Sequence, residues 1–237
     1  MNTTVKKSTA PVALVTGGSA GLGLALVQAL AERGWEVVTD ARHADPLRGA
    51  RFGAAVHTLT GDVRLERHRR ELRRTVERLG RLDLLVNNAS ELGPMRPLAD
   101  APSYALADVF ATNVEAPLEL TRSLLPLLRD GDGVLVSVSS DAAVEHYPTW
   151  GLYGASKAAL DHLTLTVGEE TGLTAYAVDP GDMRTAMHQQ AFPGEDISDR
   201  PLPESVVPHL LGLLDQRPPT GRYRAADFGA ALTTGGA

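Results

Sequence analysis

The sequence predicts an α/β protein built on a parallel sheet with helices on both faces. Three observations carry that prediction. Short apolar, β-branched runs alternate with longer segments of helical periodicity, the mark of βαβ units. These runs are nearly continuous in apolar residues rather than alternating, which suits strands covered on both sides. At 237 residues and 43% hydrophobic content, the chain suits one full domain, 1–237, and is short for two.

The elements follow in order. Residues 12–16 (VALVT) form the first strand, and a helix runs over 21–33. Residues 36–39 (EVVT) and 56–60 are the second and third strands. The helix after the third strand carries Arg64, Arg67, Arg69, Arg70, Arg73, Arg74, Arg78 and Arg81, with Glu66, Glu71 and Glu77 interspersed. Leu65, Leu72, Val76 and Leu79 give it a narrow apolar stripe, so it reads as a solvated amphipathic helix rather than a polyanion-binding face. Residues 82–86 are the fourth strand, and a long helical stretch covers 103–129, with Pro117 and Pro126 as kinks or ends. Residues 133–138 are the fifth strand, 153–169 an Ala- and Leu-rich helix, and 174–178 the sixth strand. Residues 182–203 break the pattern with Gly, Pro and charges and read as a mobile loop. A short helix over 203–215 and a last strand near 223–225 close the fold, and the tail 233–237 is expected to fray.

Composition narrows the function. The formal net charge of −6 argues against a nucleic-acid partner. With no cysteines, disulfides, cysteine metal sites and thiol nucleophiles are excluded. Residues 1–11 lack the apolar core of an export signal, and no apolar run reaches the roughly 18 residues that span a bilayer. A cytoplasmic protein without a membrane partner is the expectation.

In an open parallel sheet, ligands bind beyond the carboxyl ends of the strands. After the first strand comes TGGSAGLG, residues 16–23. Gly17, Gly21 and Gly23 permit a tight turn and close approach of backbone to a pyrophosphate, and the following helix offers unpaired N–H groups. The same stretch matches the G-x-S-x-G elbow of serine hydrolases, with Ser19 as nucleophile. Only sixteen residues precede Gly17, however, and they hold no loop for an oxyanion donor. After the second strand stand Asp40, Ala41 and Arg42; an acid there accepts from ribose hydroxyls and an arginine holds a 2′-phosphate. After the third, Asp62 suits either an adenine amino group or the N-cap of the arginine-rich helix. After the fourth comes Asn87-Asn88-Ala89-Ser90, a turn. After the fifth comes Ser140, and thirteen residues later Tyr153, in Tyr153-Gly154-Ala155-Ser156-Lys157. Tyr153 and Lys157, at i and i+4, share one helix face. A free phenol titrates near 10, so about one in a thousand is ionised at pH 7. An ammonium nearby lowers that value toward a usable general acid/base.

The ordered set resembles the short-chain dehydrogenase/reductase family. The pieces are TGGSAGLG, Asp62, NNAS, Asn113 in ATNVEAP, Ser140, YGASK and Pro180-Gly181-Asp182-Met183-Arg184-Thr185, from about residue 12 to 187. The resemblance implies a Rossmann-type, doubly wound, seven-stranded parallel sheet and hydride transfer between a nicotinamide cofactor and a carbonyl/alcohol pair. By that likeness Tyr153 exchanges a proton with the substrate oxygen and Ser140 hydrogen-bonds the same oxygen. Lys157 lowers the Tyr153 pKa and bonds the nicotinamide ribose, while Asn113 holds a water that links Lys157 to solvent. Gly17, Ser19, Gly21, Leu22, Gly23, Ala41, Arg42, Asp62, Val63, Asn88 and Ala89 are implied on the cofactor, with Pro180, Gly181, Met183 and Thr185 at the nicotinamide.

Two departures stand out. The family usually has NNAG, and Ser90 replaces that glycine, narrowing the turn's conformational range. Ala41 falls where members preferring NAD place an acid, Arg42 falls where members preferring NADP place an arginine, and Asp40 is one position early. The cofactor expected is therefore NADP(H), with NAD(H) as the alternative, and the reaction expected is ketone reduction. A small-molecule substrate is expected against Ala142, Tyr147, Trp150 and Met187, with Trp150 and Tyr147 pointing to an apolar or ring-containing one. His146 and His188 lack a third ligand of convincing spacing, so no metal is expected. The family's habit implies a homodimer or homotetramer. A non-catalytic, NAD(P)-binding regulatory protein of the same fold is the alternative, and filled catalytic positions argue against it.

Overall fold

The computed structural model describes residues 8–50 and 52–229; the tail 233–237 lies outside them. Seven strands, β1 (Val12–Val15), β2 (Glu36–Ala41), β3 (Val56–Thr60), β4 (Leu84–Asn87), β5 (Val134–Val138), β6 (Thr174–Asp179) and β7 (Gly221–Arg224), form one sheet in the order β3-β2-β1-β4-β5-β6-β7. All six pairings are parallel. The doubly wound α/β architecture is as expected, and the order reverses between β1 and β4.

Successive strand residues point to opposite faces, and each face buries its own core. On one side Ala13, Val15, Val37 and Val86 pack beneath α1 (Gly21–Glu32) and α8 (Pro203–Gln216), which contribute Leu26, Leu30, Val206 and Leu210. On the other, Val12, Leu14, Val38 and Leu85 meet α3 (Glu66–Leu79) through Leu72 and Val76, and α5 (Ala116–Asp130) through Leu120, Leu124 and Leu128. Burial on both faces is the reason these strands read as unbroken apolar runs. The arginine-rich helix turns its charges outward, with Arg73–Glu77 at 2.7 Å and Arg70–Glu66 at 3.5 Å.

The long helical stretch is not one helix. α4 (Ala105–Phe110) passes through a single π turn, Ala111–Glu115, into α5. Pro117 sits at the start of α5 and lacks the N–H that an α-helix would offer to the Asn113 carbonyl, four residues back. Pro126, by contrast, stays inside α5 and does not end it. Two short helices escape the periodicity because six residues hold under two turns: α2 (Ala44–Gly49) and α7 (Ala186–Ala191). The second corrects the reading of 182–203 as loop throughout. Its nucleus is Thr185, whose hydroxyl accepts from His188 N at 3.1 Å. α6 (Gly151–Thr171) completes the layer beside β5 and β6.

A buried carboxylate ties the first loop to the sheet. Asp40, 1% exposed, accepts from Gly17 N at 2.8 Å through one oxygen and meets His68 Nε2 at 2.7 Å through the other. His68→Ala leaves that carboxylate without its ring partner, and a buried charge stripped of its partner costs about 3 kcal/mol. Urea unfolding of the variant is expected to show that loss; a loss near zero would show that the pair carries no stability.

Candidate active site

The cavity opens where the strand order reverses, and the glycine loop forms its floor. Gly17 has φ +72°, a left-handed conformation suited to glycine. A Cβ on Gly23 would stand 2.4 Å from the Gly17 carbonyl oxygen, so the start of α1 packs against the loop only with glycine there. Neighbours hold the turn: Gly18 N donates to the Asp40 carbonyl at 3.0 Å, and Asn88 Nδ2 donates to the Thr16 carbonyl at 2.8 Å. No side chain caps α1 and no acid lies in its first turn. Its free N–H groups and positive dipole end thus face the cavity, the chemistry a pyrophosphate needs.

The adenosine end departs from the sequence reading. Asp40 is turned inward, 1% exposed, with one oxygen held by Gly17 N and the other by His68. Asp62 is not the cap of α3, whose N-cap is Leu65. Asp62 instead closes a local turn by accepting from Arg64 N at 2.9 Å, and pairs with the Arg64 guanidinium at 2.6 Å. That hydrogen-bonded pairing lowers the Asp62 pKa despite partial burial. Arg42 stands at the rim, 58% exposed and 3.8 Å from Glu91, and lines the cavity with Ala41. Its guanidinium thus reaches the cavity rim just beyond the end of β2.

The catalytic candidates converge on the same cavity of about 370 Å³, which Ser140, Tyr153 and Lys157 line. Ser140 follows β5; its hydroxyl donates to Asp141 Oδ1 at 3.0 Å and accepts from Ala142 N at 3.2 Å. Tyr153 is 7% exposed. Burial pushes its pKa up to about 12, the Asp141 and Asp179 charges add to the rise, and the hydroxyls of Ser140 and Ser90 oppose it. Lys157 is 2% exposed. Its Nζ donates to the Val138 carbonyl at 2.7 Å and lies 5.6 Å from the Tyr153 ring centre. Burial pushes the ammonium down to about 8, with Asp161 acting the other way. The spacing of Tyr153 and Lys157 predicts a depressed phenol; in the fold, burial is the leading influence and raises it instead.

Asn113 sits behind the cavity rather than on its wall. All four hydrogen-bonding positions of its side chain are taken. Oδ1 accepts from Glu91 N at 2.9 Å and Ser90 Oγ at 3.2 Å, while Nδ2 donates to the Glu91 carbonyl and Ser156 Oγ, each at 2.9 Å. Ser156 Oγ in turn donates to the Tyr153 carbonyl at 2.7 Å.

The expected cofactor residues Gly17, Ser19, Gly21, Leu22, Gly23, Asp62, Val63, Asn88 and Ala89 all line this cavity, as do Pro180, Gly181, Met183 and Thr185. Two of the four substrate candidates, Trp150 and Met187, do so too. Ala142 does not: it is buried in a tight turn, its carbonyl against Gly154 of α6. Tyr147 does not either; it is half-exposed and donates its hydroxyl to Asp141 Oδ2 at 2.8 Å. Tyr147 reaches the site only through its edge contact with Trp150, which in turn packs edge-on against Tyr153 at 5.7 Å. His146 is exposed, and His188 lies on the cavity wall with its ring tilted against Phe192, centroids 4.8 Å apart. Ser19 forms no hydrogen bond to a histidine or carboxylate among the described residues, so the hydrolase elbow has no base. Sequence reasoning missed His68, the role of Ser90, and a buried pair, Asp161 and Arg222, behind Ser140. Ser90 was visible as a departure from the NNAG pattern; nothing in the sequence pairs residues as distant as 161 and 222.

Comparison with known proteins adds the family. Residues 11–196 match the family model described as short chain dehydrogenase. The chain belongs to the short-chain dehydrogenase/reductase family. It is accordingly an NAD(P)-dependent oxidoreductase. The uncharacterized oxidoreductase YciK of Escherichia coli K12 is 31% identical over 226 residues, covering 89% of each chain. The cis-toluene dihydrodiol dehydrogenase of Pseudomonas putida is 33% identical, covering 91% of this chain and 80% of its own. The crystal structure of a Shigella flexneri short chain dehydrogenase complexed with NADP superposes with a TM-score of 0.85 at 31% identity, covering 93% of this chain and 98% of its own. No helix among the described residues is long and apolar enough to cross a membrane.

The buried lysine has a measurable signature. Its folded-state pKa lies below the value in an unfolded chain, so between about 8 and 10.5 the unfolded state binds more protons and stability rises with pH. Relative to Lys157→Met, the wild-type unfolding free energy is expected to rise by roughly 3 kcal/mol across that window. Denaturant titrations at stepped pH check this, and parallel curves for the two proteins would contradict it.

Proposed function

We propose that this member of the family is an NADP(H)-dependent reductase of ketones, with an apolar or ring-containing substrate. One observation supports the reading above the others. Ser140, Tyr153 and Lys157 share a cavity with an uncapped helix terminus and with Arg42, so groups for a carbonyl and for a phosphorylated dinucleotide lie on one surface. When bound, the nicotinamide supplies or takes the hydride.

The protein's own residues supply the rest. The α1 N-terminus and glycine loop hold the pyrophosphate. Arg42 pairs with the adenosine 2′-phosphate, and with Asp40 turned inward no free acid at the end of β2 selects ribose hydroxyls. The NADP complex of the Shigella flexneri relative supports the same preference. Lys157 holds the nicotinamide ribose through its ammonium. Tyr153, a phenol pushed up to about 12, is the proton donor at neutral pH, which suits carbonyl reduction. Ser140 turns its hydroxyl from Asp141 to the substrate oxygen and stabilises the charge developing there. A water that replenishes Lys157 has no side-chain atom of Asn113 to bind, since all four of its positions are taken. The substrate lies against Trp150, Met187 and Leu92, which pack around Tyr153. The cyclic substrate named for the Pseudomonas putida relative is in keeping with that wall.

Tyr153→Phe removes the proton donor and leaves the ring packing, so turnover of NADPH with a ketone panel is expected to fall at least about a thousandfold. Activity in that variant close to wild type would sink the mechanism. Arg42→Ala is expected to weaken NADPH by about tenfold or more while leaving NADH within about twofold. Cofactor fluorescence titration reads both, and equal losses would overturn the cofactor preference.

A further inference from the structure

Two charged residues outside every motif meet directly behind the reaction centre. Asp161 lies one turn beyond Lys157 on α6, and Arg222 lies on β7, in register with Ala177 of β6. Their side chains are 10% and 24% exposed. Arg222 Nε donates to Asp161 Oδ2 at 3.0 Å, and Arg222 Nη2 donates to the backbone carbonyl of Ser140 at 2.8 Å. One planar guanidinium thus spans the α6 carboxylate and the peptide of the catalytic serine, a double reach that a lysine ammonium lacks.

The charges also act on each other. Burial raises the Asp161 pKa, while the Ser139 hydroxyl, Arg222 and Lys157 lower it. Asp161 is the charge that opposes the burial of the Lys157 ammonium. The groups facing that ammonium are therefore Asp161 from its own helix, with Arg222 of β7 behind it, the Val138 carbonyl of β5 and the ring of Tyr153. Asp161 Oδ1 is buried without a hydrogen-bond partner. Two apolar residues fill such a space as stably as an ion pair, often more so, so packing alone does not account for the pair.

We propose that Asp161 and Arg222 form a positioning pair: Arg222 clamps the Ser140 backbone to α6, and Asp161 is the counter-charge that keeps Lys157 an ammonium. The proposal rests on the roles given above to Ser140 and Lys157. It makes neither member a catalytic residue, since neither touches substrate or cofactor.

The test reads two quantities, NADPH affinity as a function of pH and kcat at neutral pH. NADPH affinity of the wild type should fall as pH rises through about 8, where Lys157 loses its proton. Asp161→Asn removes the counter-charge and leaves Arg222 unbalanced. The midpoint of that fall is expected to move to lower pH by about one pH unit or more. Arg222→Gln frees the Ser140 peptide, so kcat is expected to drop about tenfold or more, with NADPH affinity at pH 7 within about twofold. Arg222→Lys keeps the charge and loses the second bond; it should retain the wild-type midpoint and a low kcat. The double variant Asp161→Leu, Arg222→Leu guards against simple unfolding: a thermal midpoint at or above wild type with low kcat supports positioning. An unmoved midpoint in Asp161→Asn together with an Arg222→Gln kcat within about twofold of wild type overturns the proposal. So do losses that follow a lowered thermal midpoint with no change in pH profile. Wild-type NADPH affinity that is flat with pH overturns the Lys157 assignment beneath it, a result distinct from those two.

Discussion

A parallel sheet sends the carboxyl end of every strand to the same edge, and the rest of this protein follows from that constraint. Where β1 and β4 lie side by side, their following loops diverge and leave a cleft. The cleft is then held open from below. Thr16 and Asn88 join the β1 and β4 ends, with Asn88 N and Ala89 N both donating to Thr16 Oγ1. Asp40 fixes the glycine loop to β2 and, through His68, to α3. The carboxylate at the end of β2 faces inward and is committed to structure, while Arg42 beside it stands at the cavity rim.

Burial governs the electrostatics of the reaction centre. Tyr153 and Lys157 are both almost wholly enclosed, and enclosure disfavours the charged form of each. The phenol rises and the ammonium falls, so the two pKa values separate by character: a phenol that keeps its proton and a lysine poised close to neutrality. Asp161 opposes part of that cost for the lysine, and the Asp141 and Asp179 charges push Tyr153 further up. Ser90 gains significance in this setting. In place of a glycine it puts a hydroxyl between Asn113 and the phenol, where low dielectric makes one hydrogen bond count for more than at the surface.

Much of the site was legible because its spacing is local or ordered along the chain. Tyr153 and Lys157 share a helix face by arithmetic, and the glycines of TGGSAGLG sit where a strand meets a helix. Other residues were misread for want of a partner. Asp62 looked like a helix cap, but Arg64 claims its carboxylate and the helix starts later. Asp40 looked like a ribose acceptor until His68, a helix away, was seen to hold it. Tyr147 and Ala142 lay in the right loop, and a tight turn with a surface hydrogen bond to Asp141 directs both away from the cavity. α7 was invisible because a helix of six residues is too short to show a period.

The sequence by itself determined the alternation of strands and helices, the parallel sheet, the glycine loop, and Ser140, Tyr153 and Lys157 as candidates, which the fold brings to one cavity. Each of these is encoded by neighbours a few residues apart, or by pieces in fixed order. Only the tertiary structure decided which charged groups face inward. It assigned Asp40 to His68 and Asp161 to Arg222, and it closed all four bonds of Asn113. It also set the direction in which Tyr153 and Lys157 shift, since desolvation depends on what the whole fold packs around a group and on nothing within its own helix.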